Sequence, residues 1–168
     1  MGYHVQFEQW VPFPLARVFE FFSNPENLPR IMPESSDTRL TAVNRVPPPG
    51  FPANAKAAGV GTTIVTSFRT IPGLPFRSQW IARITEFESH HYFADVQDKG
   101  PFQRWHHRHE FHAETRESVD GTLIRDIVEY EVGIGPVGAL ANRLFVRNQM
   151  LRTFEERQRK LPQLLAQA

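Results

Sequence analysis

The segment Trp105-His106-His107-Arg108-His109-Glu110-Phe111-His112 holds four of the chain's seven histidines. Imidazole ordinarily changes charge near neutral pH, so such a cluster points to acid/base chemistry, a metal, or polar anchoring of a ligand. Read as a strand, the segment alternates: Trp105, His107, His109 and Phe111 share one face, and His106, Arg108, Glu110 and His112 share the other. The first set is apolar at both ends, which marks it as the inward face.

A carboxylate beside these rings would raise their proton affinity and fix their orientation. Asp120-Gly121 suits a two-residue type I′ turn, and a hairpin closed there pairs Val119 with Thr122, Ala113 with Val128 and Phe111 with Tyr130. In that register Asp126 lies opposite Thr115, roughly 20 Å from His109 at ~3.3 Å per residue, and is excluded as a partner. The preceding run offers Phe93, Asp95 and Gln97 in alternation, joined to Trp105 through Gly100-Pro101. If that loop holds an odd number of residues, Asp95 shares the inward face and lies directly or diagonally across from His107. His107 as acid/base oriented by Asp95 is one reading of the pair, and a structural polar contact under the sheet is the other.

Asp95, His107 and His109 are also metal-ligand types, and same-face positions ~6.6 Å apart on a strand can converge. Strand histidines without a metal are far commoner, so no metal is expected. Gly133-Ile134-Gly135-Pro136-Val137-Gly138 matches the spacing of a dinucleotide loop, but no parallel strand with a ribose-binding acid is expected after it. A glycine-rich strand-to-helix turn, and no cofactor, is the expectation.

Several elements must position these groups. Tyr3 to Val11 alternates as a first strand, with Val5, Phe7 and Val11 on one side. Pro14 opens a short helix carrying Leu15, Val18, Phe19 and Phe22, and Asn24-Pro25 caps and starts a second. The Pro-rich stretch 46–58 cannot be a central strand or a helix and reads as a stiff surface loop. β-rich runs near 60–70, 76–88, 91–97, 104–115 and 122–132, broken at short intervals, predict sequential antiparallel strands. From about Val137, Leu140, Leu144, Leu151, Phe154, Leu161 and Leu165 form the stripe of a long helix, with Pro162 ending or kinking it. Arg143, Arg147, Arg152, Arg157, Arg159 and Lys160 read as the solvated face of that helix.

The whole chain, 1–168, fits one domain. Its 40% hydrophobic and 22% charged residues exclude a disordered or collagen-like chain. With 19 basic and 18 acidic side chains the formal charge is +1, too little to hold nucleic acid. The absence of cysteine excludes disulfides, thiolate metal sites and thiol nucleophiles. Polar residues interrupt the N-terminal MGYHVQFEQWV, and no apolar run approaches about 18 residues, so a cytoplasmic protein without membrane insertion is expected.

The stretches VFEFFSNPENLPRIMP, FADVQDKGPFQRWHHRHEF and DIVEYEVGIGPVGALANRLFVRNQMLRTFEERQ resemble the SRPBCC, or START/Bet v 1-like, superfamily, and within it bacterial polyketide cyclase/dehydrase-type proteins. The resemblance implies an α+β helix-grip fold, a curved antiparallel sheet around a long C-terminal helix, in agreement with the element order above. It also implies a cavity for a small hydrophobic ligand, aromatic or acyl. On that reading Phe93, Trp105, Phe111, Tyr130, Leu144 and Leu151 are apolar walls, and Asp95, Gln97, His107 and His109 are polar anchors. The alternative is a cyclase or dehydratase working in the same pocket with His107 and Asp95.

Overall fold

The computed structural model of the chain describes residues 2–69, 76–133 and 145–167. Seven strands form one antiparallel sheet: β1 (Gly2–Val11), β2 (Arg39–Asn44), β3 (Thr63–Arg69), β4 (Arg77–Glu88), β5 (Tyr92–Lys99), β6 (Arg104–Arg116) and β7 (Val119–Glu131). Their order across the sheet is β1-β7-β6-β5-β4-β3-β2. The chain therefore enters on one edge and must cross to the other before the meander starts.

Helices α1 (Leu15–Ser23) and α2 (Leu28–Ile31) make that crossing. α1 buries Val18, Phe19 and Phe21. Asn24 then accepts a hydrogen bond from the Glu26 backbone N–H at 3.1 Å, with Pro25 at the first position of the next turn. That cap ends one helix and starts another within four residues. The Pro-rich loop is tied back through Thr62 Oγ1, which accepts from the Val46 N–H and donates to the Val46 carbonyl. β2 is the element that sequence patterning misses. As an edge strand its side chains are mostly exposed, so RLTAVN shows no apolar alternation.

Helix α3 (Arg147–Gln167) lies on the inner face of the sheet and buries Met150, Phe154, Arg157, Leu161 and Leu165. The expected start of this helix, with Val137, Leu140 and Leu144, lies outside the described residues, as does most of the glycine motif beyond Gly133. Pro162 does not end the helix, which runs on to Gln167. Proline deprives the carbonyl four residues earlier of its helical donor. Here that carbonyl belongs to Gln158, and the Gln9 side chain donates to it at 2.7 Å. Gln158 Nε2 donates in return to the Glu8 carbonyl at 3.1 Å.

The β6–β7 hairpin corrects the expected register. Its two-residue turn is Glu117-Ser118, both at positive φ (50° and 64°), and not Asp120-Gly121. Arg116 pairs with Val119, Ala113 with Thr122, Phe111 with Ile124, and His109 with Asp126. Gly121 serves another purpose: it lies within β7, where a Cβ would stand 2.5 Å from both Trp10 Cζ2 and the Val11 carbonyl oxygen. Trp10 packs over that bare backbone and donates its indole N–H to the Glu114 carbonyl at 2.9 Å. A glycine needed for close approach thus imitates a turn glycine.

Candidate functional site

The inner face of the sheet carries two apolar clusters. One contains Phe93, Phe111, Ile124 and Leu161; the other contains Val128, Tyr130, Met150 and Phe154, with Trp105 packed against it. On each central element a polar residue falls between the two. His107 and His109 lie between Trp105 and Phe111 on β6, Asp126 between Ile124 and Val128 on β7, and Arg157 between Phe154 and Leu161 on α3. Asp95 joins this layer from β5, where it is the direct register partner of His107.

Asp126 organises the layer. Its Oδ1 lies 2.9 Å from His107 Nε2 and 2.7 Å from His109 Nδ1. The His107 contact is a hydrogen bond. The His109 approach is too bent to be one, so Nδ1 is a buried nitrogen without a hydrogen-bond partner. The two imidazoles stack with centroids 3.9 Å apart. On the other side of His107, Nδ1 is 4.0 Å from Asp95 Oδ1, too far for a direct hydrogen bond.

Burial decides the charge states. Removal from water pushes the His107 imidazole down to about 4, reinforced by His109 and only partly opposed by the Asp126 hydrogen bond. Burial lowers His109 as well, against the attraction of Asp126. Burial alone would raise the Asp126 carboxyl, but the adjoining imidazoles and the nearby Arg157 charge hold it well below its ordinary value. Asp95 is pushed up by burial, against the pull of His107. At neutral pH both rings are therefore neutral, with the ionised Asp126 hydrogen-bonded to His107 and close against His109. A carboxylate only accepts, so His107 carries its proton on Nε2 and turns the Nδ1 lone pair toward Asp95.

These residues border a cavity of about 430 Å³ between the sheet and α3. Of the residues expected to line it, Phe93, Asp95, Trp105, His107 and His109 do so. Phe111 and Tyr130 do not; each is only 1% exposed, locked in the apolar clusters behind the wall. Gln97 is spent on the β5–β6 loop, donating to the Phe102 carbonyl at 2.7 Å and accepting from the Phe102 N–H at 3.3 Å. Leu151 is off the lining, because α3 is rotated to turn Met150, Phe154 and Arg157 inward. Leu144 lies outside the described residues. The exclusion of Asp126 as the histidines' partner and the placing of Arg157 on the solvated face are both overturned, and Trp80, which packs edge-on to Trp105 at 5.0 Å, joins the wall unforeseen. A signal for Asp126 existed in its inward parity on β7, obscured by the misplaced turn.

Asp95, His107 and His109 each offer a ligand atom within 4.8 Å of the others, the donor set of a metal site. Asp126 already engages His107 Nε2 and crowds His109 Nδ1, and the Arg157 cation acts on the same cluster.

A curved antiparallel sheet holding a long C-terminal helix over an apolar cavity defines a helix-grip protein of the Bet v 1/START type. The chain belongs to the polyketide cyclase/dehydrase and lipid transport family, whose sequence model matches residues 11–159. No curated protein matches it in sequence. Among solved structures it is similar to TTHA0849 from Thermus thermophilus, at 18% identity and a TM-score of 0.66 over 98% of this chain and 97% of that one. It is similar to Ara h 8.0201, at 13% identity and a TM-score of 0.66 over the full length of both. Norcoclaurine synthase from Thalictrum flavum matches at 15% identity and a TM-score of 0.61, over 96% of this chain and 86% of that one. At these identities the likeness shows the fold alone. Members of this fold family generally bind hydrophobic ligands. No helix among the described residues is long and apolar enough to cross a membrane.

Proposed function

We propose that the protein is a cytoplasmic binding protein that holds a small hydrophobic molecule, aromatic or acyl, in the cavity between the sheet and α3. The observation that supports this best is the wall itself. Phe22, Trp80, Phe93, Trp105 and Phe154 border a space within the range of small-molecule sites, with Asp95, His107, His109 and Arg157 among the polar groups on the wall.

The neutral dye N-phenyl-1-naphthylamine tests the reading. It is expected to bind the folded protein, brighten, and quench tryptophan emission, because Trp80 and Trp105 border the cavity while Trp10 is engaged elsewhere. Trp105→Phe removes part of the contact area and should weaken the dye roughly fivefold, equivalent to about 1 kcal/mol. Trp80 would still report binding. Absence of dye binding, or an affinity and quench untouched by the substitution, counts against the site.

A second reading is supported by the two neutral imidazoles at the cavity wall: an enzyme of the cyclase or dehydratase kind, with His107 as acid/base between Asp95 and Asp126. The two readings part on the fate of the ligand. Native mass spectrometry of the purified protein should reveal any co-purifying molecule, which is then returned to fresh protein. A carrier gives it back unchanged; a dehydratase gives it back lighter by one water, and His107→Gln should slow that loss by about a hundredfold or more.

A further inference from the structure

Arg157 does not lie on the solvated face of α3 where its neighbours in sequence suggested. It is 9% exposed and borders the cavity. Its guanidinium stands 4.7 Å from the centre of the Phe154 ring, a cation–π contact, and among the described residues it makes no hydrogen bond or ion pair. A cation this deeply buried normally meets a carboxylate or a set of acceptors, since desolvation without pairing costs several kcal/mol. Two carboxylates occupy the same layer, and neither closes on it. Asp126 is held by His107 and His109, and Asp95 faces His107. Both feel Arg157 only through space. The guanidinium is therefore left at the cavity wall with its fork of donors unpaired by any carboxylate of the described residues, in the same layer as Asp95, His107 and His109.

We propose that the cavity selects a hydrophobic molecule bearing a carboxylate, and that Arg157 receives that carboxylate. This rests on the cavity being a hydrophobic ligand site, and it names the chemical class of the occupant. Arginine suits the role because its fork matches the two oxygens of a carboxylate and its face already stacks on Phe154. The low-dielectric wall strengthens the attraction, and the apolar body of the ligand would extend along Trp80, Trp105 and Phe93. His107 and His109 are neutral and do not attract the ligand's charge themselves, and burial, which favours the protonated form of Asp95 on the same wall, lessens the repulsion that Asp95 would exert on an incoming anion.

The test compares 2-naphthoate with 2-naphthamide, which have the same ring and nearly the same shape and differ in charge. Both displace N-phenyl-1-naphthylamine, and both are titrated by calorimetry at pH 7. Wild-type protein should bind the carboxylate at least tenfold more tightly than the amide, a comparison that needs no variant. Arg157→Gln should abolish the preference while leaving amide affinity within about twofold. Arg69→Gln should retain it, because Arg69 borders the cavity but is paired with Asp37 at 3.3 Å. Dye and amide binding by Arg157→Gln confirms that the variant has kept its cavity. Equal affinities in the wild type, or a preference that survives Arg157→Gln, overturns the proposal and leaves the hydrophobic site standing. Binding of neither naphthalene nor dye by the wild type overturns both.

Discussion

Replacing Asp126 with alanine is expected to lower the unfolding free energy by about 1–3 kcal/mol, measured by urea denaturation at pH 7. One carboxylate oxygen serves two buried imidazoles, at 2.9 and 2.7 Å, and all three residues are nearly inaccessible to solvent. Removing it strands the buried His107 donor, at roughly 1–3 kcal/mol for an unsatisfied polar group, and takes away the negative charge against which His109 Nδ1 rests. Asp126→Asn should cost less, because the amide oxygen can still accept from one ring. A loss below about 1 kcal/mol in the alanine variant would mean that the rings find other partners and that Asp126 does not organise the layer.

The second large effect is on pH dependence. In the unfolded chain His107 takes up a proton near 6.5, whereas in the folded protein burial delays uptake to about 4. Between those values the unfolded state binds more protons, so stability falls as pH falls. His107 alone should remove about 2 kcal/mol between pH 7 and pH 5, at 1.36 kcal/mol per pH unit below 6.5. His109 is shifted in the same direction and adds to the loss. Asp95, shifted upward by burial, opposes it, since the folded state holds that proton more tightly. The Asp126 contribution comes later, below the ordinary carboxylate range, because its folded value lies well beneath its unfolded one. Urea midpoints at pH 7 and pH 5 should therefore differ in the wild type and differ less in His107→Gln. A midpoint unchanged or rising toward pH 5 would show that the rings are charged in the folded state and that water reaches the layer.

Residue order by itself determined the order of the elements other than β2 and the inward parity of β6 and β7, while Asp95 opposite His107 followed only once the β5–β6 loop length was assumed. Each of these depends on local regularities: side chains alternate along a strand, and residues directly paired across two strands share one face. Asn24-Pro25 was readable for the same reason, since a cap and the turn it starts are neighbours in the chain. Three features were decided only by tertiary contacts. Gly121 is bare because Trp10 from β1 packs over it, and a local reading mistakes that requirement for a turn; the resulting slip hides Asp126 from His107 and His109. Pro162 stays within a helix because Gln9, far away in sequence, satisfies the carbonyl that proline leaves free. Arg157 stands in a run of basic residues whose composition says solvent, yet the rotation of α3 against the sheet turns it into the cavity. That rotation follows from which of Met150, Phe154, Leu161 and Leu165 pack best against the two clusters, a property of the assembled surfaces rather than of any one stretch of chain.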